Sequence, residues 1–494
     1  MDHQDLLASL PLDREAGIPL FRQLHARLKE AILDGRLGAG ARLPATRAFA
    51  QGLGVSRQTV LAAYEQLMAE GYLSGAAGSG TFVSAALPAA PGVARAGAAA
   101  AAPLLRPLSA RGAALAAGMA RVRHHDGPLR AFRPSMPGLD LFPFDAWRRI
   151  EARHWRRSHA LLGYSNGAGY GPLRELLCAY LRAARGVRCT PEQVVVTAGS
   201  QQALYLVAQL LLAPGDDVWI ESPGYLGAAA PFAAAGARLC PVPVGPEGLD
   251  LDHAASRWPD ARLAFVTPSH QLPLGVTMSL RRRLDLLQRA AAQRMWIVED
   301  DYDSEYRHTG PPLASLQGLD RAGCVIYVGT LSKVMFPGLR LGYIVAPPAL
   351  AEPLALARSV IDRHSPLLPQ AALADFIAEG HFARHLRRTR EAYGERRAAL
   401  LAALHARLDG VLACGPSDAG LDVCTHFRLG HDEDDVAARA RAAGIDLRTL
   451  GYYALPGAGQ ACAVTPGLLL GFAAFEPADL RTGVDGLARV LEAA

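Results

Sequence analysis

Leu20, Leu24, Leu28 and Ile32 recur at helical spacing and stop at Asp34-Gly35, which predicts an amphipathic helix closed by glycine. Pro44 opens a second, short helix through Ala50, and Gly52-Leu53-Gly54 makes a turn. Ser56 then stands as the N-cap of a third helix with Val60, Tyr64 and Leu67 facing inward. Gly71-Tyr72-Leu73 and Gly78-Ser79-Gly80-Thr81-Phe82-Val83 read as a small hairpin. From about Leu87 to Pro128 the chain is rich in Ala, Pro and Gly, a linker with room for a helical stretch among the alanines. Beyond Leu129 short β-branched runs (193–197, 217–221, 263–267, 295–299, 325–328 and 342–345) alternate with helical stretches such as 201–212 and 279–293. Strands alternating with helices predict a mainly parallel sheet covered on both faces, an α/β fold. After Pro347 the pattern is largely helical with a few late strand-like stretches, as a second lobe requires. The expected divisions are 1–86, 87–128 and 129–494.

Composition narrows the class. A length of 494 residues supports two or three domains with ample core. No apolar run reaches the ~18 residues of a spanning helix, and the start lacks signal-peptide regions, so no membrane is expected and the location is read as cytoplasmic. Seven cysteines without a CxxC pair predict reduced structural thiols and no zinc. The net charge of +5 is mild, but between Leu20 and Val60 seven basic residues face only Glu30 and Asp34.

That local charge lies on a helix, a glycine turn and a second helix, the helix-turn-helix arrangement. Arg57, Gln58 and Thr59 occupy the first turn of the helix that would enter the major groove of double-stranded DNA, where Arg reads guanine and Gln adenine. Ser56 caps that helix, Arg47 on the preceding one suits a phosphate or base edge, and the Gly78-Ser79-Gly80 tip suits a wing on the backbone.

Only two of the 51 basic residues are lysine, Lys29 and Lys333, in a chain that otherwise uses arginine. A lysine amine can lose its proton and condense with a carbonyl, which a guanidinium cannot. Lys333 lies in a small-residue turn, Gly329-Thr330-Leu331-Ser332-Lys333, just after an apolar strand. Thr197-Ala198-Gly199-Ser200-Gln201 follows another strand and opens a helix, an anion cradle by geometry and dipole. Asp300 in Glu299-Asp300-Asp301-Tyr302 offers a carboxylate for a ring N–H, Tyr225 a ring to stack, and Arg340 a charge for phosphate. All fall at C-terminal strand ends, where open α/β sheets bind ligands.

Two resemblances follow. Pro19–Val83, with its Arg-Leu-Pro-Ala-Thr-Arg, Gly-Val-Ser-Arg-Gln-Thr-Val and Gly-Ser-Gly-Thr-Phe-Val motifs, resembles the GntR-type winged helix-turn-helix. This implies DNA contact at Arg47, Arg57, Thr59 and Gly80; Ala45-Thr46 departs slightly from the usual pair of hydroxyl residues. Leu129–Ala494 resembles the fold-type-I aminotransferases, which implies pyridoxal 5'-phosphate carried on Lys333, Asp300 at its ring nitrogen, Tyr302 at its ring hydroxyl and Tyr225 over the ring. Ser200, Gln201, Thr330, Ser332 and Arg340 would surround the phosphate. The loop Thr267–Gly275 resembles one that carries an asparagine in aminotransferases; here His270 or Gln271 stands for it. The fusion of both parts is similar to the MocR/GabR regulators, which implies a head-to-tail homodimer on operator DNA.

Two departures bear on the effector. Some members carry an arginine for a carboxylate two residues past Tyr225, where this chain has Gly227, and transaminases place one late in the small lobe, where it has Leu468-Leu469-Leu470. Arg448 is left open as a substitute. The expectation is a regulator sensing an amine whose acidic group is absent or held differently, or sensing the cofactor itself. The alternatives are a working aminotransferase with an attached DNA domain, and a regulator whose pocket serves only dimerisation.

Overall fold

The computed structural model describes residues 10–76, 80–85, 107–120, 122, 127–157, 159–310 and 313–492. The chain forms two compact units, Met1–Arg106 and Pro107–Ala494.

In the first unit, α1 (Leu20–Leu33), α2 (Thr46–Leu53) and α3 (Arg57–Ala69) surround a core that holds Leu24, Leu28, Ile32, Phe49, Val60, Tyr64 and Leu67. The Ser56 hydroxyl accepts the Thr59 N–H at 3.1 Å, the cap its position predicts. A two-residue strand β1 (Arg42–Leu43) joins β2 (Leu73–Ala76) and β3 (Gly80–Val83) in the order β1-β3-β2. β1 is too short to leave a periodic trace in the sequence. The hairpin tip residues Gly78 and Ser79 lie outside the described residues. Lys29 makes an ion pair with Glu70 at 2.8 Å and sits 4.7 Å from the Tyr72 ring centroid. This second lysine therefore has a packing role at the foot of the hairpin.

In the second unit the large sheet comprises β4 (Val194–Thr197), β5 (Asp217–Ser222), β6 (Arg238–Gly245), β7 (Gly248–Leu249), β8 (Leu263–Val266), β9 (Trp296–Asp301), β10 (Val325–Thr330) and β11 (Gly342–Val345). Their order is β4-β11-β10-β9-β8-β5-β6-β7; β10, β9, β8, β5 and β6 run parallel, and β11 is antiparallel to both neighbours. The six expected strands are all present. β6 is additional: Pro241 and Pro243 hide it from a strand reading, and proline is confined to sheet edges, where β6 lies but for the two-residue β7. β12 (Leu412–Cys414), β13 (Asp422–Phe427), β14 (Arg448–Thr449) and β15 (Gly467–Gly471) form the antiparallel sheet of the second lobe, in the order β12-β13-β15-β14.

The stretch read as linker, 87–128, is not all connector. Its part from Pro107 belongs to the larger unit, where α4 (Ala110–Ala120) packs on the helix Leu226–Ala234. A Cβ at Gly118 would stand 2.9 Å from the Ala230 Cβ, so only glycine permits that approach.

Candidate functional site

On the N-terminal unit Arg47, Ser56, Arg57 and Gln58 are exposed and Thr59 is half-buried. Arg57 Nε donates to the Thr46 hydroxyl at 3.4 Å, which links the start of α3 to the start of α2. The Ser56 hydroxyl also meets the Thr59 hydroxyl at 2.9 Å, so capping engages both side chains. Gly80 has φ +101, and a Cβ there would lie 3.0 Å from Arg42 Nε. Arg42, placed at the wing's base by β1, is a basic residue that sequence reading counted but did not assign.

In the larger unit one cavity of 390 Å³ collects most of the expected groups: Ser200, Gln201, Tyr225, Asp300, Tyr302, Thr330, Ser332, Lys333 and Arg340 all line it. Strand alternation selects among the three acids at the end of β9. Glu299 points away and accepts the N–H groups of Leu316 and Gln317, each at 2.8 Å. Asp301 points away too, paired with Arg185 at 2.8 Å and accepting the Tyr327 hydroxyl at 2.6 Å. Asp300 alone faces the cavity, and its Oδ1 is buried with no hydrogen-bond partner. Burial, with Asp301 and Glu221 nearby, pushes its carboxyl up to about 8.

Lys333 Nζ donates to the Ser135 carbonyl at 2.6 Å. Burial lowers its pKa against the opposing pull of Asp422, Asp303 and Asp300, the direction an amine needs to be nucleophilic. Ser135 is fixed in turn by Asp422, which accepts its N–H at 2.7 Å and its hydroxyl at 3.1 Å.

At the opposite end Gly199 (φ +95) caps the helix Ser200–Leu211. Arg340 Nη2 donates to the Ala198 carbonyl at 2.9 Å, and a Cβ on Gly199 would press on that guanidinium at 3.2 Å. Bare backbone, a helix N-terminus, the Thr330 and Ser332 hydroxyls and an arginine make a cradle for an anion. Tyr225 donates to Gln201 Oε1 at 3.3 Å, and Gln201 Nε2 donates to the Gly227 carbonyl at 2.8 Å. Gln201 thus braces the tyrosine as much as it faces the cavity.

Two expected residues are not on the cavity wall. His270 is buried behind it, its Nδ1 3.0 Å from Asp303, while its carbonyl accepts the Tyr302 hydroxyl at 2.9 Å. Gln271 Nε2 donates to the carbonyls of Pro223 and Leu272 at 2.8 and 2.7 Å. Both are engaged in holding the loop and Tyr302 rather than facing a ligand. Neither lines the cavity: Asp303 and the Tyr302 hydroxyl meet His270 Nδ1, and backbone carbonyls accept from Gln271 Nε2.

The missing arginines have a physical counterpart. A Cβ at Gly227 would lie 2.4 Å from Tyr225 Cζ, so no side chain fits while that ring folds over it. On β15 Leu468 and Leu470 pack in the core, and Leu469 pairs directly across from Arg448 on β14. Arg448 lines the cavity and lies 4.7 Å from the Tyr452 ring centroid. A guanidinium is present after all, one strand over from where transaminases place theirs.

Comparison with known proteins joins these observations. Residues 20–83 match the bacterial regulatory proteins of the gntR family, and residues 136–487 match aminotransferase class I and II. The chain is 43% identical, over 97% of its length and 95% of the other's, to a protein named as the probable rhizopine catabolism regulatory protein MocR of Rhizobium meliloti. It is 33% identical to the pyridoxine biosynthesis transcriptional regulator PdxR of Corynebacterium glutamicum, covering 79% of this chain and 81% of that one. Among solved structures, the alpha-aminoadipate aminotransferase LysN of Thermus thermophilus, in complex with N-(5'-phosphopyridoxyl)-L-leucine, is 32% identical with a TM-score of 0.68, over 76% of this chain and 97% of that one. The orphaned Asp300 oxygen, the anion cradle and the lysine between them fit pyridoxal phosphate, which asks for a ring-nitrogen partner, a phosphate site and an amine. A DNA-reading winged helix joined to this cofactor-binding aminotransferase fold makes the chain a member of the MocR-type, pyridoxal-phosphate-dependent transcriptional regulators.

Proposed function

We propose that this regulator binds operator DNA as a cytoplasmic, head-to-tail homodimer and responds to an amine that reaches Lys333. The observation that carries the reading is that Arg448 shares one cavity with Lys333 and Asp300. The cofactor's needs are met at the Lys333–Asp300–Arg340 side, so a second buried cation gives the cavity a further recognition point. Bound there, the cofactor supplies an electron sink and a carbonyl that exchanges amines. Asp300 would hold the ring nitrogen, Tyr225 would cover the ring, Tyr302 would face its hydroxyl, and Ser200, Thr330, Ser332 and Arg340 would hold the phosphate. Arg448 would meet an anionic group on the incoming amine, so the acidic group is held differently rather than absent. Exposed Trp155, Leu162 and Tyr164, together with Val360, which is 87% exposed and three residues before the Arg363 that lies on the Tyr164 ring, support a homodimer interface on this unit.

Sensing of the cofactor itself is the second reading, favoured by the likeness to PdxR. The two part in a DNA-binding assay. A cofactor sensor changes operator affinity between cofactor-free and loaded protein and ignores amines, whereas an amine sensor changes it when an amine is added to loaded protein.

On the DNA side, Arg57→Ala is expected to relax base preference and cost about 1–3 kcal/mol on the specific site. Arg42→Ala, at the wing's base, should instead weaken all sequences alike and reduce the salt slope by about one. Fluorescence anisotropy against specific and scrambled duplexes over a salt series measures both. Equal losses on both duplexes for Arg57→Ala would remove it from base readout.

A further inference from the structure

As a free amine Lys333 is already engaged: its Nζ donates to the Ser135 carbonyl at 2.6 Å, and Ser135 lies on the same cavity wall. Ser135 has φ +59, and Phe132, three residues earlier, has φ +65. This is left-handed backbone, which a residue other than glycine keeps only where its surroundings hold it. The small lobe does the holding. Asp422 on β13 and Gly471 on β15 are cross-strand partners, and each grips one end of this segment. The Gly471 N–H donates to the Phe132 carbonyl at 2.9 Å, and a Cβ at Gly471 would collide with the Arg133 carbonyl, so only glycine allows the strand this close. At the other end the two oxygens of Asp422 accept the Ser135 N–H at 2.7 Å and its hydroxyl at 3.1 Å. Asp422 is buried off the cavity wall, so its link to the Lys333 amine runs through Ser135.

We propose that Ser135, held by Asp422, is the seat that receives the Lys333 amine when an incoming amine displaces it from the cofactor, which makes Asp422 a positioning residue for that exchange. This rests on the reading that an amine reaches Lys333. In the exchange the incoming nitrogen forms a double bond to the cofactor's carbon, and the bond from that carbon to Nζ breaks. Two protons pass from the incoming nitrogen to Nζ, so Lys333 leaves as an amine and nothing is oxidised or hydrolysed. While bonded to the cofactor, Nζ keeps at most one N–H. The released amine has at least two, and the Ser135 carbonyl accepts one of them. The seat therefore stabilises the released lysine and not the attached one, and every contact that orients Ser135 tilts the balance toward release. Charge acts in the same direction. Burial lowers the pKa of Lys333, while Asp422, Asp303 and Asp300 oppose it and favour a lysine that has left the cofactor and taken up a proton.

The test compares full-length wild type with Asp422→Ala and Ser135→Ala, the second of which loses only the hydroxyl bond and keeps the main-chain one. Cofactor-free protein is titrated with pyridoxal phosphate, and loaded protein with n-butylamine and with 5-aminopentanoate, all followed by cofactor absorbance. Loss of the seat destabilises only the free lysine, so attachment should become tighter. Half-loading is expected at about tenfold lower cofactor in Asp422→Ala and about threefold lower in Ser135→Ala, the range of one hydrogen bond. The amine concentration at half-displacement should rise by the same factors. General damage to the site would move loading the other way. Weaker loading in both variants therefore overturns the proposal, as do amine midpoints equal to those of wild type. If neither amine alters the absorbance of wild type, displacement by amines falls, while the loading titrations still decide whether Asp422 and Ser135 seat the free lysine.

Discussion

Lys333→Ala is expected to abolish covalent attachment of pyridoxal phosphate and every response to amines, while leaving sequence-specific DNA binding by the N-terminal unit intact. The expectation follows from what surrounds this amine. It is buried, held to the Ser135 carbonyl and lowered in pKa by burial, and it is the only lysine in the cavity. Arginine at this position would keep the charge but lose the nucleophile. Wild-type protein should be coloured, and borohydride should fix the cofactor to the peptide that contains Lys333. The variant should bind the cofactor only reversibly and release it on dialysis. Retention of a borohydride-fixed adduct in the variant would place the attachment elsewhere.

Asp300→Asn should weaken cofactor binding by about 1.5–3 kcal/mol, the range of a hydrogen bond to a charged partner. The same change should stabilise the cofactor-free protein. With its pKa pushed up to about 8 in the fold, the Asp300 carboxyl holds a proton that the unfolded chain gives up near about 4. Between these values the unfolded state is the one that ionises freely, so this group's contribution falls as pH rises from about 4 to about 8. Glu221 and Glu299, each pushed up to about 7 by burial, add the same trend and remain in the variant. Thermal unfolding of cofactor-free wild type and variant should therefore diverge in the variant's favour across that window and run parallel above it. A constant gap at all pH values would mean that Asp300 is ionised in the fold throughout.

Much of the site was legible because its residues punctuate strand ends. Thr197, Ser222, Asp300 and Thr330 each lie within the last residues of an apolar run, and a short run followed by small or polar residues marks such an end without any tertiary information. Which of Glu299, Asp300 and Asp301 faces the ligand also follows from alternation, once one of them is anchored. Ser56 carried its own evidence, since a capping hydroxyl is a local device.

The rest depended on contacts between residues distant in sequence. Arg448 reaches the cavity because β14 pairs with β15 opposite Leu469, and a strand of two residues is too short to leave a periodic signal. Ser135 enters because the chain after Phe132 is tied by a bridge to Gly471 in the small lobe and Asp422 holds it there. His270 and Gln271 sit in the expected loop but off the cavity wall, since Asp303 meets His270 Nδ1 and the carbonyls of Pro223 and Leu272 accept from Gln271 Nε2; position along a loop does not set the direction of a side chain. The alanines of α4 give no inward face to read, and the packing of Gly118 on Ala230 exists only in three dimensions.

The most direct test of the whole account is the operator affinity of full-length protein already loaded with pyridoxal phosphate, measured as an amine is titrated in while cofactor absorbance is followed in the same cuvette. A sensor joined to a DNA reader should show both signals moving over one concentration range, with operator affinity shifting by about 5–150-fold, the usual span of coupling between two sites. Absorbance that responds to amines while operator affinity stays constant would contradict it, because the cavity would then do chemistry that the DNA-binding unit never registers.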